Sequence, residues 1–208
     1  TMRAWQATGL LSPEGIFPFA KQGNGTVLGE GAGILVLEAM HHAKARGAKI
    51  LAELCGIGST SDGTDMLEPD LAGAAQAMRL ALEDAQLAPC DIDYVNAHGT
   101  AIATNDRVET AAIKRAFGAH AGELALSSTK SMYGHPLGAG SAIEAVVCIK
   151  AIEEGWVPPT LGLDQADPAC DLDYTPKIGR AKAITYAMSN SFSFSGLNAV
   201  LVFGPAPV

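Results

Sequence analysis

An α/β fold, with a mixed sheet packed between helices, is what this sequence of 208 residues predicts. Two observations carry the reading. Strand-like and helix-like patterns alternate along the chain, as they do in layered α/β folds. Hydrophobic residues make up 48% and charged residues 17%, which suits a well-buried core in a chain of this length.

The elements follow in order. The N-terminal stretch reads as irregular through Pro13 and Pro18. Thr26 to Glu38 carries Gly29, Gly31 and Gly33 and then the β-branched run Ile34-Leu35-Val36-Leu37, which reads as a buried strand with other backbone packed close to its glycines. Ala39 to Arg46 reads as a helix stopped at Gly47, and Lys49 to Ile57 as a strand. Leu71 to Gln86 is alanine-rich with apolar residues at helical spacing. Tyr94 to Ala97 is a short strand, and Asn105 or Asp106 is positioned to cap a helix running to about Phe117. Leu124 to Ser127 is a further strand, followed by a loop from Lys130 to His135. Gly138 to Glu154 reads as a small-residue helix burying Ile143, Val146, Val147, Ile149 and Ile152. Strand-like segments near Ala183–Ser189 and Asn198–Phe203 end the chain.

Composition excludes several functions. A formal net charge of −8 with no basic run argues against general nucleic-acid binding. No apolar stretch reaches the roughly 20 residues that a membrane span requires, and Thr1-Met2-Arg3-Ala4-Trp5 lacks the apolar region of a signal peptide. Cys55, Cys90, Cys148 and Cys170 are scattered without CxxC spacing, so they read as buried free thiols in a cytoplasmic protein.

Two histidines stand beside glycines in distinctive polar surroundings. His98 lies in Asn96-Ala97-His98-Gly99-Thr100, and His135 closes Ser128-Thr129-Lys130-Ser131-Met132-Tyr133-Gly134-His135. Glycine permits backbone turns that leave an imidazole facing a pocket. Two such imidazoles with an ammonium nearby form a set of groups that can converge on a developing negative charge. His41, His42 and His120 have no such context and read as surface or helix residues. Asp62 and Asp65 read as turn formers. No third histidine or cysteine stands where zinc would need it. Gly29 to Gly33 lacks both the spacing and the lysine of a nucleotide loop.

Together with Val157-Pro158-Pro159-Thr160 and Asn190-Ser191-Phe192-Ser193-Phe194-Ser195-Gly196-Leu197-Asn198, these motifs resemble the β-ketoacyl-acyl carrier protein synthases, condensing enzymes of the thiolase superfamily. The resemblance spans essentially the whole chain. Its nearest likeness is to the elongating synthases of bacterial fatty-acid synthesis and their polyketide and nodulation-type relatives. It implies a thiolase-like layered fold, the C-terminal half of a duplicated αβαβα architecture. Residues 1–47 would be the tail of the N-terminal half, and residues 48–208 the C-terminal ketosynthase domain.

The resemblance also assigns roles. His98 and His135 match the pair that binds the thioester carbonyl of malonyl-carrier protein, promotes decarboxylation and stabilises the enolate. Lys130 matches a lysine that organises the histidines and pairs with a carboxylate, for which Glu109 is the best candidate. Phe194 matches the gating phenylalanine whose backbone N–H completes an oxyanion hole. Thr100 matches a residue on the pantetheine arm, Ile102 stands where a second such threonine is common, and Ser193 lies in the substrate-binding loop. No cofactor is implied, because substrates ride on the phosphopantetheine arm of acyl carrier protein. The implied partners are that carrier protein, the N-terminal half of the same synthase and a second copy in a homodimer.

Departures from the family pattern are equally specific. None of the four cysteines has the context of the family nucleophile, which the resemblance places upstream of Thr1. The chain alone is therefore expected not to catalyse condensation. Ser193 and Ser195 replace glycines of the phenylalanine loop and Leu197 replaces a threonine, while Ala20, Gly23, Asn24 and Thr26 replace charged and aromatic residues. Two other readings are weighed beside the synthase. One is a non-catalytic partner like the chain-length factors of aromatic polyketide systems. The other is a thiolase, from the likeness of Gly134-His135-Pro136-Leu137-Gly138 to its histidine loop.

Overall fold

A computed structural model describes residues 2–206. Its centre is a five-stranded mixed sheet in the order β1-β7-β6-β2-β3, where β1 is Ala52–Ser61, β2 Ile92–Asn96, β3 Ala125–Ser127, β6 Tyr186–Phe192 and β7 Leu197–Pro205. β2 runs parallel to both β3 and β6, pairing Asn96 with Ser127 and with Ser189. β7 is antiparallel to β6 and to β1. The short strands β4, Trp156–Val157, and β5, Arg180–Ala181, form a separate antiparallel pair.

Alternation along the strands sends side chains to two cores. Val95, Met188, Val200 and Val202 face α3, Leu71–Ala85, and α4, Ala103–Phe117. Tyr94, Ala125, Ala187 and Phe203 face α6, Gly140–Glu154. Helices thus cover both faces of a mixed sheet, as expected. Asp70 starts α3 by accepting the Ala72 N–H at 2.8 Å, and Gln86 ends it in the left-handed region.

Several expectations are corrected. The N-terminal stretch is not wholly irregular, since Met2–Thr8 forms α1. The run from Ile34 to Leu37 is neither a strand nor buried: Ile34, Val36 and Leu37 are 87%, 85% and 70% exposed. A strand needs a pairing edge, and no described strand supplies one here. α2, Met40–Ala45, follows it as foreseen. α4 begins at Ala103 after Ile102, and Asp106 caps nothing; its carboxylate, buried in the first turn, accepts the Phe19 N–H at 2.8 Å. α5, Lys130–Tyr133, occupies what reads as a loop.

α6 buries its small residues most deeply, while Ile149 and Ile152 pack partly against the same core, as expected. Ala145, Cys148 and Ala151 are buried with Gly140 and Glu144, whereas Val146 is exposed. Small side chains let the helix lie close to the sheet, and this closeness overrides the pull of the larger apolar residues. All four cysteines are free; Cys148 and Cys170 are buried, but Cys55 is half-buried and Cys90 exposed, against the expectation that all are covered. Among the described residues no helix is long and apolar enough to cross a membrane.

Candidate active site

The carboxyl ends of the three parallel strands build the site, the place where α/β sheets hold their functional loops. β2 ends at Asn96 and delivers His98; β3 ends at Ser127 and delivers Lys130; β6 ends at Phe192 and delivers Phe194. His98 and His135 come together with ring centroids 5.5 Å apart and planes at 85°. Both are buried.

Each turn is pinned by its own chemistry. The Glu109 carboxylate, rising from α4, accepts the N–H groups of His98 and Gly99 at 2.8 Å each, and the Asn190 amide donates to it at 3.1 Å. Gly99 has φ +36, and a Cβ there would stand 2.6 Å from the Ser128 side chain. Ser128 itself donates to Gly99 O at 2.7 Å, tying the two histidine-bearing loops together. The second loop is clamped by a ribbon: His135 N–H donates to Val27 O at 2.7 Å and Gly29 N–H to His135 O at 3.0 Å. Gly29 fits because a Cβ would lie only 2.1 Å from Tyr133 O, which explains the first glycine of that ribbon as a close backbone approach. Thr160, in the Val157–Thr160 motif, accepts the Ser128 N–H at 3.0 Å and donates to Tyr174 O at 2.7 Å.

Lys130 is fully buried, not a solvated charge, and its Nζ ion-pairs with Glu144 of α6. It also donates to His98 O at 2.7 Å and lies 3.4 Å from His98 Nδ1. This corrects the expected partner: Glu144, not Glu109, neutralises Lys130, because both oxygens of Glu109 are committed to the backbone of the His98 turn. An ammonium has no acceptor, so its approach to Nδ1 leaves the His98 proton on Nε2 as a donor. Burial pushes the His98 pKa well down, with the Lys130 charge and His135 adding to it. Burial and then Lys130 depress His135 to about 3. Both imidazoles are therefore neutral at physiological pH, and His135 Nδ1 is buried with no hydrogen-bond partner. Burial holds the Glu109 carboxyl above its usual range despite three donors.

A cavity of about 580 Å³ opens on the pair, lined by His98, His135, Lys130, Thr100, Ile102, Ser193 and Phe194. Every candidate residue except Glu109 reaches that cavity, and Glu109 stands behind His98. Thr100 Oγ1 accepts the Ile102 N–H at 3.4 Å. Phe194 is partly exposed on the loop after β6, and Phe192 sets its ring centroid 5.7 Å from that of His98. Ser195 takes φ +68, the left-handed value a glycine would adopt freely, at a cost on the order of 1 kcal/mol. Its N–H donates to Met66 O at 2.7 Å. Asp65 forms the expected turn by accepting the Leu67 and Glu68 N–H groups. Asp62 does more, accepting from Asn198 Nδ2 at 2.7 Å and Asp70 N–H at 3.0 Å, which anchors the phenylalanine loop to the end of β1.

Sequence reading gave no role at the site to Glu144 or Trp5, named Asn190 only as part of a motif, and gave Asp106 only that of a helix cap. Glu144 carried a signal: a lone acid on the small-residue face of a helix. Trp5 carried none, since its cavity position depends on a helix absent from the pattern. Asp106 is buried and pushed up to about 7, chiefly by desolvation. No cysteine lines the cavity. Burial raises the Cys148 and Cys55 thiols and lifts Cys170 to about 11, so none of these three is an activated nucleophile. Among the described residues no cluster of three or more acidic, histidine or cysteine side chains is placed to hold a metal.

Comparison with known proteins bears on this geometry. Residues 51–164 match the family described as beta-ketoacyl synthase, C-terminal domain. Nodulation protein E of a Rhizobium species is 50% identical over 202 residues, covering 97% of this chain and 50% of that protein. A 3-oxoacyl-(acyl-carrier-protein) synthase 2 of Synechocystis sp. is 50% identical over 188 residues, covering 89% of this chain and 45% of that one. A solved type II PKS acyl carrier protein in complex with its ketosynthase, bound to the hexaketide, superposes with TM-score 0.95 at 39% identity, over 99% of this chain and 53% of that one. The chain spans about half the length of the curated relatives it matches.

Proposed function

As the chain belongs to the β-ketoacyl synthase family, we propose that it is the C-terminal part of an elongating 3-oxoacyl-carrier protein synthase. The observation that carries the proposal is the pair of buried neutral imidazoles, 5.5 Å apart, with Lys130 behind them. In this reading the pair takes the thioester carbonyl of a malonyl-carrier protein. As the bond to the carboxylate breaks and CO₂ leaves, its electron pair moves into an enolate whose oxygen accepts N–H bonds from His98 and His135. The enolate carbon then attacks the carbonyl of an acyl-cysteine thioester, forming the new carbon–carbon bond and releasing the thiolate. Only neutral imidazoles placed before the reaction do this without reorganising; one such donor is worth about 2.7–4 kcal/mol in the transition state. Lys130 polarises His98, Glu144 compensates its charge, and Glu109 holds the His98 turn. The backbone N–H of Phe194 serves the acyl-cysteine oxyanion. Thr100, Ile102 and Ser193 border the path of the pantetheine arm.

The cysteine is the part that the described residues do not supply. We assign it to an N-terminal half of the same synthase, of which residues 1–47 are the tail, and residues 48–208 to the C-terminal domain. That half would cover the exposed Ile34–Leu37 ribbon. The acyl carrier protein as partner, a homodimer, a cytoplasmic setting and the absence of a cofactor belong to the same reading. A thiolase is disfavoured, because its second cysteine has no counterpart along this cavity.

The test is decarboxylation of malonyl-carrier protein by the protein carrying both halves. His135→Ala is expected to slow it by about 100-fold or more, the effect of deleting one oxyanion donor. Unchanged decarboxylation in that variant would overturn the assignment.

A further inference from the structure

We propose that Trp5 is a specificity-determining residue: its indole walls the cavity beside His135 and Phe194 and discriminates against malonyl-type thioesters branched at the carbon between thioester and carboxylate. The inference rests on the condensing reading above and supplies a feature of the substrate which that reading leaves open.

α1 has one inward residue. Met2, Arg3, Ala4, Gln6, Ala7 and Thr8 are exposed, and only Trp5 is partly covered. The helix buries none of its residues, so Trp5 is no member of the core. Its ring contacts are with site residues. The indole lies 5.2 Å from the Phe194 ring, tilted by 30°, and 6.4 Å from the His135 ring at 72°, nearly edge to face. Both separations fall in the range where aromatic rings attract one another. Thr8 fixes the end of the helix by donating from Oγ1 to Trp5 O at 2.7 Å, and Gly9 N–H reaches Gln6 O at 3.2 Å.

Trp5, Leu10 and Leu137 are among the apolar residues that line the cavity, and of these the indole is the one set against the His135 ring. In the proposed pose a thioester carbonyl held between the imidazoles has its neighbouring carbon on the Trp5 side of the cavity, where the indole lies 6.4 Å from the His135 ring. An unbranched methylene passes; a methyl or ethyl branch meets the indole. The contact of the indole with Phe194 ties that limit to the position of the loop.

The experiment measures kcat/KM for decarboxylation of malonyl- and ethylmalonyl-pantetheine by the protein carrying both halves, as wild type, Trp5→Phe, Trp5→Leu and Trp5→Ala. The ethylmalonyl-to-malonyl ratio is expected to rise by at least tenfold in Trp5→Ala and by less in Trp5→Phe. An unchanged ratio with malonyl turnover retained overturns the inference, as does equal loss of both activities in a folded variant. If Trp5→Ala does not fold, the ratios of the phenylalanine and leucine variants decide by the same criterion. A wild-type protein that decarboxylates neither thioester overturns the condensing reading itself, and this inference with it.

Discussion

Lys130 is the residue on which the electrostatics of the site turn. An ammonium at 0% exposure persists because Glu144 lies against it and His98 O accepts from it. Removing one member of a buried pair leaves the other charge uncompensated, so Glu144→Ala is expected to destabilise the fold by about 3–5 kcal/mol. Lys130→Met combined with Glu144→Gln removes both charges and is expected to cost less, which denaturant unfolding of the two variants would show. The same double variant has a consequence for pH. Protonation of His135 is resisted down to about 3, partly by Lys130, so wild-type decarboxylation stays flat as pH falls from 8 to 5. With the ammonium gone, the folded-state value rises towards that of a free imidazole and the acid limb of the profile moves up. A profile with its acid midpoint near 6.5 in the wild type would sink this account. For stability the sign is that of a depressed base. The unfolded chain takes up a proton below about 6.5 that the folded His135 refuses, so this group's contribution is complete above that pH and declines as pH falls towards 3.

At the level of elements, close approach decides more than side-chain polarity. Gly29 presses the ribbon against the end of α5, and Gly58 of β1 lets α3 lie on the sheet, since a Cβ there would stand 1.9 Å from Ala77 O. The two glycines separate fold from site. Gly58→Ala is expected to cost about 1–3 kcal/mol through overpacking while leaving decarboxylation unchanged. Gly29→Ala is expected to displace Val27, and with it the carbonyl that holds His135, so turnover falls more than stability does. Thermal melts and decarboxylation rates on both variants check this; equal loss of turnover in both would refute it. The same contrast shows what was readable in the sequence. α3 was legible because it carries its own helical period, and β2 and β3 as short apolar runs leading into the His98 and Lys130 turns. The deepest positions of α6 were not, because Ala145, Cys148 and Ala151 are set by closeness to the sheet rather than by apolar bulk, although the marked Ile149 and Ile152 do pack partly against that core. The histidines and Lys130 were legible as motifs. The Lys130–Glu144 pairing was not, since it joins two elements whose approach no local pattern encodes.

For the whole molecule, the ribbon of Ile34, Val36 and Leu37 sets a boundary condition. Three large apolar side chains lie open on a segment outside any strand or helix, and Gly31 and Gly33 press that ribbon onto α6, against Ile143 and Ala142. Unpaired backbone carrying exposed apolar side chains invites a partner strand. Under the proposed division of the synthase, that partner is the N-terminal half, and one surface accounts for both missing parts: the strand that covers the ribbon and the cysteine that faces His98 and His135. The chain alone is then expected to associate non-specifically, and Val36→Lys to reduce that association, because a charge on an open edge blocks pairing. The same substitution in the protein carrying both halves should weaken their union, lowering the melting temperature and condensation together. Light scattering of the chain alone and melting of the joined halves measure the two effects. A Val36→Lys protein with both halves that melts and condenses like the wild type would show that the ribbon is not the seam.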